Sequence, residues 1–228
     1  MMAAAKKFAC GFCKKAFTSE RTLSAHMCPK KRRNLEKDSI ASQHGFRLFQ
    51  RFMLMNTPTK RPPAFENFID SKYYTAFIKL ARHLMDLRPI NQEHFVDFLF
   101  SGVKDRDWCK DAVYKKFVQH ILSKEPAATG LERSIKTMSE WGEKTGLPYN
   151  EFFFHVAPAE ATHMVRLGKI SPWVLYIAET ADHLFTRLSS EQEEIIAAVI
   201  DFDIWRVRFT RQKDDCTFVR EVLKDAGI

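Results

Sequence analysis

Cys10 and Cys13 are separated by two residues, and twelve residues further on the chain brings His26 and then Cys28. No other feature limits so narrowly what this stretch can fold into. The turn Phe8-Ala9-Cys10-Gly11-Phe12-Cys13 can aim two thiolates at one ion, and Gly11 is free to take a strained backbone angle. Of five cysteines in the chain, three crowd into this segment, while Cys109 and Cys216 stand alone. That is metal spacing plus two free thiols, which suits a reducing compartment better than a disulfide framework.

Between Cys13 and His26, Phe17 and Leu23 stand where a short ββα unit needs apolar wedges between its hairpin and its helix. With Phe8 they make up the whole core of such a unit. A core so small cannot hold a fold, so bound zinc would have to supply the folding free energy, an apparent ~10–16 kcal/mol in peptides of this kind. Over Phe8 to His26 the pattern aromatic-x-C-x2-C-x3-F-x5-L-x2-H resembles the two-Cys, two-His zinc finger family. The resemblance implies ligands at Cys10, Cys13 and His26. It departs at the fourth ligand, which the family places three to five residues after the histidine, where this chain has Lys30, Lys31 and Arg32. Cys28 is the expected replacement, held extended by Pro29 behind it, with His44 the reserve. Incidental or merely buried cysteines are the plain alternative.

Charge is concentrated in the same place. Residues 1–33 hold nine Lys or Arg against Glu20 alone, which makes this segment +8 and leaves 27 basic and 27 acidic residues in the other 195. A polyanion footprint is therefore expected at the N-terminus, on Lys14, Lys15, Arg21, Lys30, Lys31, Arg32 and Arg33. If the finger docked on DNA as the family does, the base-reading positions would be Ser19, Thr22 and Ala25, none of which offers a bidentate pair to a base. One finger also spans only about three base pairs. Binding would be sensitive to salt and largely blind to sequence, with DNA the expected partner ahead of RNA. The bland reading of Pro29-Lys30-Lys31-Arg32-Arg33 is a solvated patch or, in a nucleated cell, an import signal.

Beyond residue 33 the pattern is helical. Apolar residues recur at helix spacing over 35–55 and again from Phe65 to about Leu87, with the prolines between Thr57 and Pro63 breaking the run. Asn91 can cap a helix ending near Gly102, and further helices are expected from about Asp107 to Pro126 and over 128–145, closed by Gly146. Ser171-Pro172 predicts the start of a helix running to about Leu188, and Ser190 with Glu193 a capping box. Residues 202–209 fit helix or strand, and a last helix is expected at about 216–225. The expected fold class is mainly α: a small ββα zinc finger with a basic tail at 1–33, then an all-helical globular domain at 34–228.

That domain carries no phosphate-cradling glycine loop, no G-x-S-x-G and no H-E-x-x-H. Glu160-x-x-His163 has the spacing of half a di-iron site without a second copy. Of Phe152-Phe153-Phe154, one ring cannot face inward and is free to meet a partner. No apolar run approaches the roughly 18 residues of a membrane span, and Met1 to Lys7 is too short for a signal sequence, so the expectation is an intracellular, cytoplasmic protein without a membrane partner. The finger through Arg33, together with Ser71-Lys72-Tyr73-Tyr74-Thr75-Ala76-Phe77 and Ser101-Gly102-Val103 leading to Asp107-Trp108-Cys109, is similar to uncharacterised zinc-finger proteins of large tailed bacteriophages. That resemblance implies a viral setting, with host cytoplasm as the compartment, and assigns no site. The functional expectation is a zinc-dependent, nucleic-acid-binding accessory protein. A protein-docking adaptor is the alternative, and an enzyme acting on nucleic acid is the second alternative, with no catalytic residue assigned.

Overall fold

The computed structural model describes residues 8–58 and 61–228, so Lys6 and Lys7, counted above among the basic residues, lie outside the described part. The described chain is mainly helical, with one two-stranded sheet at its start. In the sheet β1 (Phe8–Ala9) pairs antiparallel with β2 (Ala16–Phe17), Phe8 opposite Phe17. Then come α1 (Glu20–Ala25), α2 (Pro29–Leu35), α3 (Ile40–Asn56), α4 (Phe65–Asp70), α5 (Tyr74–Leu87) and α6 (Gln92–Gly102). They are followed by α7 (Asp111–Leu122), α8 (Ala127–Thr145), α9 (Phe152–His155), α10 (Pro158–Arg166), α11 (Pro172–Leu175), α12 (Asp182–Phe185), α13 (Ser190–Ala197), α14 (Phe202–Arg211) and α15 (Lys213–Asp225). None of the described helices is long and apolar enough to cross a membrane.

Contacts divide the chain into two compact units, one of residues up to Arg88 with Val96–Cys109, the other of Pro89–Phe95 with Lys110–Ile228. The finger falls in the first. In that unit the core is aromatic: Phe77, wholly buried on α5, lies 5.6 Å from Phe49 and from Phe52 of α3 and 5.1 Å from Trp108, ring centre to ring centre. The helical spacing of α3 and α5 puts these rings on facing stripes, and each buried ring contributes roughly 1.5–3 kcal/mol of transfer free energy. Trp108 is buried in this core, its indole N–H donating to the Val103 carbonyl, whereas Cys109 beside it is exposed.

The second unit is built on α8. Here Arg133 donates to both oxygens of buried Glu125, Ser171 donates to the same carboxylate at 2.8 Å, and Ser134 accepts from the Ser171 backbone. Such a carboxylate is tolerable in a core only because every partner is present. Gly130 lets α11 approach closely, since a Cβ there would lie 2.5 Å from Ser171 Oγ. Arg208 lies over the rings of Trp205 and Trp173 at 4.6 and 5.0 Å. Phe152 and Phe153 are buried, and Phe154 points outward onto the ring of His183, 4.2 Å away.

Several boundaries differ from the sequence expectation, each for a local reason. The run from Phe65 to Leu87 is two helices, because Ser71 Oγ accepts from the Tyr73 backbone and turns the chain between them. The helix expected from Asp107 begins at Asp111. The one expected over 171–188 is α11, a short 3-10 turn and α12: Trp173, Val174 and Leu175 are all buried, which no single helix face allows. The capping box uses Ser189 with Gln192, one residue earlier than expected, since both registers carry the signature. Residues 202–209 are helical, capped by Asp201, whose Oδ1 accepts from the amides of Asp203 and Ile204. The helix over 128–145 forms as expected, and Gly146 closes it at φ +77°.

Candidate metal centre and its basic surroundings

The hairpin loop places Cys10 and Cys13 through two backbone hydrogen bonds of 2.9 Å, Cys10 N–H to Lys15 O and Lys14 N–H to Cys10 O. Lys14 takes the left-handed conformation at φ +62° that this tight turn needs, although Gly11 was the residue expected to bear the strain. Ser19 caps α1 and delivers His26 at that helix's end, where the ring lies 4.7 Å from Phe17. Cys28 is extended, at φ −81° and ψ 161°, and is at once the N-cap of α2, its sulfur accepting from the Lys31 amide at 3.4 Å.

The result is a cluster in which the ligand atoms of Cys10, Cys13, His26 and Cys28 all lie within 4.8 Å of one another. Among the described residues no other group of three or more such side chains is placed to share an ion. Cys10 Sγ is 4.0 Å from Cys28 Sγ, and Cys13 Sγ is 3.2 Å from His26 Nε2. Cys10 and Cys28 are buried, while Phe8, Phe17 and Leu23 are only half-buried and α1 has no buried residue. The interior of residues 8–28 is therefore this Cys/His cluster, which could hold a metal ion. The Cys13 backbone N–H, followed by that of Phe12 and by the Cys13 and Cys28 thiols, outweighs burial and brings the Cys10 thiol down to about 7. For Cys13 the Lys15 amide is the largest influence and draws the thiol down, but burial with the Cys10 and Cys28 thiols raises it on balance.

His44, the reserve ligand, belongs to α3 and is not among the clustered residues. Burial and the nearby Arg47 charge lower its pKa. Glu160 is 3.3 Å from Lys144, and His163 contacts Arg166, so the half-site motif is engaged in ordinary surface pairs.

The seven basic residues divide into two groups. Lys14, Lys15, Arg21 and Arg32 are exposed, Lys14 Nζ donating to Gly11 O and Lys15 lying over the Phe17 ring at 5.7 Å. Lys31 is half-buried with Nζ on the His26 carbonyl. Lys30 and Arg33 instead tie α2 to its own unit: Lys30 pairs with Asp70 at 2.7 Å, and Arg33 donates to Ile69 O at 2.5 Å and lies over the Tyr74 ring at 4.4 Å. Asp70, Ile69 and Tyr74 carried no sequence signal as partners, because only tertiary folding brings them to residues some 40 positions earlier. Ser19 and Thr22 hydroxyls bond each other at 3.0 Å, and Thr22 also donates to Ser19 O, so two of the three base-reading positions are already engaged. The chain matches no protein-family model, no curated protein and no solved structure.

Proposed function

We propose that the chain is a zinc-dependent, nucleic-acid-binding accessory protein that grips phosphates through its finger without reading sequence. The observation that carries this reading is the cluster of three thiols and one imidazole, beside exposed cations that among the described residues have no carboxylate partner. Zinc–sulfur bonds of about 2.3 Å at tetrahedral angles set two sulfurs about 3.8 Å apart, and the Cys10 and Cys28 sulfurs are 4.0 Å apart. Soft thiolates with one imidazole and no open position suit a structural zinc ion, whose binding would supply folding free energy the finger lacks.

Phosphate contact falls to Lys14, Lys15, Arg21 and Arg32, with Lys31 at their side. Lys30 and Arg33, expected to share this role, have partners of their own and are left out of the contact set. Ala25 and the engaged hydroxyls of Ser19 and Thr22 support sequence-independent binding. A second reading, docking on a partner protein, is favoured by Phe12 and Met27, apolar neighbours of the ligands that are 40% and 48% exposed.

Fluorescence anisotropy with duplex DNA of varied sequence, and with matched RNA, separates the two readings. Affinity should fall steeply with salt and vary little with sequence. Changing Lys14, Lys15, Arg21 and Arg32 to Ala should flatten the log–log salt slope by roughly 0.9 for each lost duplex contact. Lys30→Ala with Arg33→Ala should change the slope far less. Absence of binding at low salt, or a slope untouched by the fourfold variant, contradicts the phosphate reading; retention of a protein partner lost in Phe12→Ser with Met27→Ser then favours docking.

A further inference from the structure

The second unit contains an open groove of about 460 Å³ that none of the finger's chemistry uses. Ile90, Ile121 and Pro126 give it apolar lining, and Glu125 with Arg133, a satisfied ion pair, also lines it. Lys124 and Lys136 with His94 and His120 also line it, all exposed, and among the described residues none of these four side chains makes a hydrogen bond or ion pair. Of its two lining carboxylates, Glu125 is paired with Arg133 and Glu132 is exposed. Asn91 and Thr129 add uncharged polar groups.

Lys124, Lys136, His94 and His120 thus bring four basic side chains free of acceptors to one groove whose apolar lining includes Ile90, Ile121 and Pro126. The volume lies in the range of small-molecule sites, which pair an apolar lining with a few polar groups. Two ammonium groups and two imidazoles suit a phosphate dianion better than a single carboxylate, with Lys acting as a point charge toward phosphate. We propose that this groove binds a small organic phosphate the size of a nucleoside monophosphate, its phosphate between Lys124 and Lys136 and its ring or apolar body on Ile90, Ile121 and Pro126. This site is separate from the finger and stands whether or not the finger holds nucleic acid.

Isothermal titration calorimetry on the full chain tests it with three probes: adenosine 5′-monophosphate, inorganic phosphate and adenosine. The monophosphate should bind saturably at one site, and each of the other two should bind at least roughly tenfold more weakly, because each offers half of the recognised chemistry. Lys124→Glu with Lys136→Glu should weaken the monophosphate by roughly tenfold or more, while Lys124→Arg with Lys136→Arg retains it. Lys14→Ala with Lys15→Ala, a change confined to the finger, should leave it intact. The proposal fails if the monophosphate does not bind, if it binds no better than inorganic phosphate or adenosine, or if the finger pair abolishes binding that the groove pair leaves unchanged.

Discussion

Cys28 performs two tasks with one sulfur, as a member of the ligand cluster and as the cap of α2. Serine is a good N-cap but a poor ligand for a soft site, so the two tasks can be separated. Cys28→Ser should lower zinc affinity strongly while keeping the cap, and Cys28→Ala should lose both, at a further cost of about 1 kcal/mol to the helix. His44→Ala should leave zinc affinity unchanged. Competition with a chromophoric chelator measures all three. Acid should act through the same atoms. Cys10 ionises near 7 and Cys13 higher, and metal binds only the deprotonated ligands. Apparent affinity should therefore fall as pH drops through 7 and below, by roughly tenfold per unit for each proton displaced. A flat profile from pH 7.5 to 5.5 would remove the thiolates from the site. That Cys10, Cys13 and His26 come together was legible from their spacing and the resemblance it carries, and that Cys28 joins them from its place just after His26. Its second role was not, because Pro29 reads equally as the end of a structured segment and as the first residue of a helix.

At the scale of elements, α2 links the ligand cluster to α4 and α5. Its N-terminus is capped by a ligand sulfur, and Lys30 and Arg33 fasten it to Asp70, Ile69 and Tyr74. A metal bound at Cys28 would hold that cap in place, so amides of Lys31 to Leu35 should exchange with solvent faster on chelation while those of α5 do not. Hydrogen exchange read by mass spectrometry checks this, and equal protection with and without metal would uncouple α2 from the cluster. The sequence reading had this stretch as a basic tail, because charge obscured its short helical run. Elsewhere, legibility followed amphipathicity. The long helices α3, α5 and α8 present one apolar stripe each and were readable. By contrast, α11 and α12 are buried on several sides, and periodicity cannot show where such a segment breaks.

Across the whole molecule, positive charge and the Cys/His cluster share the first 33 residues, while the remaining chain is electrically balanced. The helices beyond the finger have their own cores, around Phe77 in one unit and around Trp173 with the Glu125–Arg133 pair in the other. Chelation should therefore leave most of the helical circular-dichroism signal in place. That the chain is mainly helical was legible in its periodicity. The groove between His94, His120, Lys124 and Lys136 was not, since it is assembled from side chains with no motif spacing. Everything proposed for the N-terminal Cys/His cluster depends on its binding an ion. Native mass spectrometry of the intact chain, purified without added metal, should show the mass of one zinc ion, lost in Cys10→Ser and Cys13→Ser. A folded chain with no bound metal, or one whose metal survives either substitution, would contradict the account.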